Sequence, residues 1–162
     1  MLLNTTHLRR TVDTLEQAII HLQALPVTKA DASAVSRDAK SGSSMTTREV
    51  LYDLYRNAAI KSFELSLETA GKLLRKALKP YAVQPREVDR LVFNDVLRQA
   101  GRHGLLEIEE VPRWLEYRAN RNTTTHDYGE DFANGTMKLL PTYLQDARAL
   151  ADRLDEAGDA TP

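Results

Sequence analysis

The chain contains no cysteine, so neither a disulfide framework nor a thiolate metal site is open to it. It has no apolar run near the ~20 residues that a membrane-spanning helix requires. The opening MLLNTTHLRR lacks the basic start and apolar core of a secretory signal. Asn4-Thr5-Thr6 and Asn122-Thr123-Thr124 fit the glycosylation pattern, which has no consequence without export. A cytoplasmic protein with no membrane partner is expected. An excess of one charge is lacking too: 22 basic against 23 acidic residues leave a net charge of −1, which argues against an indiscriminate nucleic-acid binder. A small RNA site remains open, because Arg113, Arg118 and Arg121 form a local basic cluster. No histidine–carboxylate constellation has metal-ligand spacing, so no metal and no cofactor are expected. His7, His21 and His103 are scattered and read as surface or helix-end residues.

What is present is helical periodicity. At 162 residues the chain suits one domain, 1–162. A first helix is expected from about Thr6 to Leu25, with Leu8, Val12, Leu15, Ile19 and Leu22 as its buried stripe and Pro26 as its stop. Residues 27–46 are small, polar and aperiodic, and read as a flexible insertion. A long helix follows, capped by Thr46 or Thr47 and reaching about Lys79, with Phe63, Leu67, Ala70 and Leu74 on its inner side. Pro85 opens a third helix carrying Val88, Leu91, Val92 and Val96 to Ala100. A fourth starts near Pro112, presents Trp114, Leu115 and Ala119, and should weaken at Asn122. The last spans roughly Glu130 to Glu156, and Pro141 should kink or split it. No stretch alternates with strand period over a useful length. The expectation is an all-α, antiparallel bundle of four to five helices.

Between the last two helices stands RNTTTHDY, residues 121–128. Positions five apart on a straight helix differ by ~140°, so Arg121 and His126 act together only if the helix breaks between them or a second protomer completes the site. An arginine, a histidine and small polar groups suit phosphodiester cleavage. A neutral imidazole near pH 7 can take the proton of a ribose 2′-hydroxyl, and a guanidinium fork stabilises charge on the phosphoryl oxygens. Asn122 would orient either group or hold substrate. Acid–base catalysis wants a second proton carrier, and two chains across a twofold axis supply two histidines, which favours a homodimer. An Arg-x4-His pair alone occurs by chance in roughly one protein in seven of this length, whereas Arg-Asn-x3-His-x-Tyr falls to about one in several thousand. A purely structural reading also exists: an Arg121–Asp127 pair caps a helix end, and Tyr128 packs on Trp114.

The string and its surroundings resemble the HepT-type HEPN toxins, also called nucleotidyltransferase substrate-binding proteins, whose motif is Arg-x4-His-x-Tyr. RNAAIKSFELSLETAGKLLRKAL (56–78) is similar to the long second helix of that family, with its signature around Ile60, Phe63 and Glu64. PREVDRLVFNDVLRQAGRHGLL (85–106) resembles the helix and turn that follow, and Trp114 stands where the family usually has its tryptophan. The resemblance covers most of residues 47–156. It implies a HEPN-like bundle that dimerises and places two motifs in one cleft. It also implies a metal-independent endoribonuclease, the toxin of a toxin–antitoxin pair, with RNA as substrate. A minimal nucleotidyltransferase antitoxin would neutralise it by transferring AMP to the motif tyrosine. Carried over by position, Arg121 and His126 would be catalytic, Asn122 the polar residue after the arginine, and Tyr128 the AMP acceptor. Asp127 beside His126 favours the imidazolium, which leaves the division between acid and base open. The alternative is a non-catalytic module that presents substrate to the nucleotidyltransferase.

Overall fold

The computed structural model describes residues 3–26, 45–124 and 130–160, without the side chains of 122–124 and 130–134. Residues 27–44 of the expected insertion lie outside them, as do His126, Asp127, Tyr128 and the side chain of Asn122. The described residues form six α-helices: α1 (Thr6–Ala24), α2 (Thr47–Leu78), α3 (Pro85–Arg90), α4 (Phe93–Arg102), α5 (Val111–Thr124) and α6 (Glu130–Asp159). Short 3-10 turns occupy Lys79–Tyr81 and Ile108–Glu110. The all-α bundle is what the periodicity requires.

Contacts between named residues give its directions. His21 of α1 stacks on Tyr55 of α2 with ring centroids 5.3 Å apart, and Arg48 donates to the Pro26 carbonyl at 2.6 Å, so the two helices are antiparallel. Arg9 meets Asp152 and Asp155, while Arg148 meets Glu16, which sets α6 antiparallel to α1. Arg113 bonds Asp146 and Thr136 bonds Asn120, which sets α5 antiparallel to α6. The short α4 packs on α2 and α5.

Local chemistry explains the ends. Thr46 caps α2 through a reciprocal box: its hydroxyl accepts from the Glu49 N–H at 3.2 Å, and Glu49 accepts from the Thr46 N–H at 3.0 Å. The C-terminus of α4 turns through Gly104 at φ +74°, with the Leu105 N–H returning to the Ala100 carbonyl at 2.9 Å. A left-handed residue at that position costs glycine least.

The structure differs from the sequence expectation in four places. The third helix is two, α3 and α4, because Leu91 and Val92 are extended (ψ 137° and 155°). The break leaves Val92 64% exposed and turns Phe93 inward instead. Ala119 is exposed, and the inner face of α5 is carried by Trp114 and Tyr117. α5 continues through Thr124; threonine disfavours helix by only a few tenths of a kcal/mol per residue, which does not end a helix docked upstream. α6 runs unbroken through Pro141. The proline removes one backbone bond, and buried Leu140 and Tyr143 on either side anchor both halves.

The core centres on Phe63, Trp114, Tyr117 and Tyr143, whose rings meet edge to face at 4.8–5.8 Å. Such pairs add ~0.5–1.5 kcal/mol each beyond their area. The buried Tyr143 hydroxyl is satisfied by Ser66 at 2.5 Å.

Candidate functional site

Arg121 lies near the C-terminal end of α5, on the same face as Trp114 and Arg118, as the seven- and three-residue spacings dictate. Its side chain is 31% exposed and its Nη2 is 3.8 Å from the Glu68 carboxylate on α2. Glu68 also meets Lys72 at 3.1 Å. The hydrogen bond and charge of Lys72 come first, and Arg121 adds to them, in holding the Glu68 carboxyl below its usual range.

Around these residues is an open groove of about 300 Å³ between α2, α4 and α5, lined by Glu68, Lys72, Arg75, Phe93, Arg118 and Arg121. Its floor depends on Gly71. A Cβ at that position would run into the Phe93 ring, so only glycine lets the ring seat flush on α2. Arg118 then lies over that ring, with its guanidinium carbon 4.6 Å from the centroid. Its Nε is buried and has no hydrogen-bond partner among the described residues. Burial first, then the charges of Arg121 and Arg75, lower the Arg118 pKa. Among the described residues the groove thus gathers four cations against one carboxylate, an arrangement that gains from an anion.

The part of α5 that meets α6 is tied down rather than reactive. The Arg113 guanidinium forks onto Asp146 with Nε and Nη2 each at 2.8 Å, and the Tyr117 hydroxyl donates to the same carboxylate at 2.6 Å. The hydrogen bond to Asp146 raises the Arg113 pKa, and burial followed by that same carboxylate raises the Tyr117 pKa. Immediately before the motif, Asn120 accepts from the Thr136 hydroxyl of α6 at 2.6 Å. These bonds fix the α5–α6 hairpin whose connection carries the rest of RNTTTHDY.

The structure therefore divides the arginine cluster expected from the sequence. Arg118 and Arg121 share the groove, whereas Arg113 belongs to the interhelical lock with Asp146. Lys72, Arg75, Glu68 and Phe93 were missed. Glu68, Lys72 and Arg75 fall on one ridge of α2 by their spacing, but nothing in the sequence says which helix that ridge meets. Among the described residues no histidine lines the groove: His103 stacks on Tyr81 at 4.4 Å, and His7 is exposed on α1. No group of three or more acidic or histidine residues able to hold a metal occurs among the described residues. None of the described helices is long and apolar enough to cross a membrane.

The sequence model for "nucleotidyltransferase substrate binding protein like" matches residues 4–156. The chain belongs to this family. Within the HepT-type family the chain is similar to a probable ribonuclease HepT of Haemophilus influenzae, 29% identical over 105 residues that make up 65% of this chain and 70% of that protein. Its fold is similar to a solved H. influenzae structure described as a substrate binding domain of a nucleotidyltransferase. There the TM-score is 0.70 at 22% identity, covering 93% of this chain and 98% of that one. The family match runs through the α5–α6 hairpin, so the groove and the motif both fall inside it.

Proposed function

We propose that the protein is a metal-independent endoribonuclease, the cytoplasmic toxin of a toxin–antitoxin pair, active as a homodimer. The observation that carries this reading is Arg121, held at the end of α5 in a cationic groove and immediately followed by Asn122-Thr-Thr-Thr-His126. The similarity to a probable ribonuclease supports it. In the reaction the ribose 2′-oxygen attacks the adjacent phosphorus and its proton passes to a base. The bond to the 5′-oxygen breaks, that oxygen takes a proton from an acid, and a 2′,3′-cyclic phosphate and a 5′-hydroxyl remain. His126 is the base or the acid, its counterpart in the second protomer supplies the other, and Arg121 stabilises the charge on the phosphoryl oxygens. Asn122 orients substrate or catalytic groups. A minimal nucleotidyltransferase antitoxin transfers AMP to Tyr128, adding negative charge and bulk beside the site.

The second reading is a non-catalytic module that presents substrate to a nucleotidyltransferase. It is favoured by the family's description and by that of the solved structure of similar fold. Incubating the purified protein with RNA in EDTA separates the two. Cleavage that disappears in His126→Ala, with helical content unchanged, is the result expected of the ribonuclease. Intact RNA, or equal cleavage by the variant, overturns that assignment.

A further inference from the structure

The groove extends past Arg121 along α2, and its remaining cations have no part in the chemistry just described. Lys72 is 71% exposed and free to move towards a ligand. Arg75 is held in place by its bond to the Val88 carbonyl at 3.0 Å. Arg118 is fixed on the Phe93 ring, its Nε without a hydrogen-bond partner among the described residues. Bringing three guanidinium groups and an ammonium to one groove of about 300 Å³ is unfavourable unless an anion joins them. Among the described residues lining the groove Glu68 is the one carboxylate: it is exposed, it contacts Lys72 and Arg121, and its 3.8 Å approach to Arg121 is a loose one. Exposed pairs of that kind are worth about 0–1 kcal/mol, so a phosphate can displace the carboxylate readily.

We propose that Lys72, Arg75 and Arg118 form a phosphodiester subsite that holds the RNA strand beside the linkage served by Arg121, and that Glu68 occupies Arg121 and Lys72 until the strand displaces it. The choice of RNA as the source of the phosphate rests on the ribonuclease reading. The cations stand on two helices, Lys72 and Arg75 on α2 and Arg118 and Arg121 on α5, so a strand lying between them can meet more than one with successive phosphates, which a single nucleotide cannot.

The test is binding of a 2′-O-methyl oligoribonucleotide, which lacks the attacking hydroxyl and stays intact. Lys72→Ala, at an exposed position, should weaken binding about fivefold and lower the slope of log K against log salt by about 0.7, the loss of one single-strand phosphate contact. Arg75→Gln should act in the same direction, and Glu68→Gln should tighten binding. If RNA is cleaved, Lys72→Ala should raise KM with kcat unchanged, the mark of a lost ground-state contact. Wild-type cleavage with affinities unchanged in all three variants overturns the subsite and leaves the ribonuclease standing. The expected affinity changes in a protein that does not cleave RNA uphold the subsite and remove the ribonuclease. AMP binding as tightly as the oligonucleotide overturns the strand subsite in favour of a mononucleotide pocket.

Discussion

The Phe93 ring rests on α2 at the one position, Gly71, where the helix has no side chain. The contact places a ring from α4 beneath the Arg118 guanidinium of α5, so three helices meet at the floor of the cationic groove. Gly71→Ala should gain ~1 kcal/mol of helix propensity and still destabilise the protein by about 1–3 kcal/mol, because the new methyl overpacks a buried ring. Urea denaturation measures this. Phe93→Leu in the same chain should recover part of the loss, which separates a steric effect from a general one.

Asp146 accepts from both the Arg113 fork and the Tyr117 hydroxyl, and Arg113 has besides it only a longer bond, at 3.3 Å, to the Glu109 carbonyl among the described residues. The Asp146 side chain is 7% exposed, so its removal leaves a buried hydroxyl and a displaced guanidinium. Asp146→Ala should cost about 1–3 kcal/mol, the penalty of the unsatisfied buried hydroxyl, since the half-exposed Arg113 can turn to water, and it is seen as a lower midpoint in urea. A loss under 1 kcal/mol would show that α5 and α6 are held by the aromatic cluster alone.

Acid should loosen the seam between α1 and α6. Hydrogen bonds from Arg9 first and Thr5 second hold Asp155 below the usual carboxylate pKa. A depressed carboxyl stabilises the fold above its unfolded-state pKa, and that contribution is lost as pH falls through the folded value. Stability should therefore decline below about pH 4. Asp155→Asn should be less stable at neutral pH by about 0.5 kcal/mol, since the pair is partly exposed, and its decline in acid should be shallower. Chemical denaturation from pH 3 to 7 checks both.

Tyr128 is proposed as the AMP acceptor. Incubation with the partner nucleotidyltransferase, ATP and magnesium should raise the intact mass by one or more AMP units. Tyr128→Phe should remove the gain and, if AMP is the switch, keep RNA cleavage active in the presence of the partner. An unchanged gain in the variant moves the modification to another residue.

The helices were legible because their apolar stripes and caps are local: Leu8 to Ile19 in α1 and a threonine cap at 46 or 47 in α2 needed no tertiary information. The break at Leu91–Val92 was not legible. Both residues are apolar and continue a helical pattern, and only the fit of Phe93 against Gly71 decides which apolar residue turns inward. Pro141 misled in the opposite sense, since one missing backbone bond weighs less than the packing of Leu140 and Tyr143.

The same division holds for the site. By itself the sequence determined the polar string 121–128 and the chemistry its side chains can perform, because residue identity and spacing along one helix are local properties; that its first half belongs to α5 was decided by the structure. Tertiary structure alone decided which cations keep Arg121 company. Arg113, eight residues away on the same helix, turns to Asp146, whereas Lys72 and Arg75 cross from α2 to share the groove. Helix packing sets which ridges face each other, and no spacing within one chain segment encodes the neighbour it will meet.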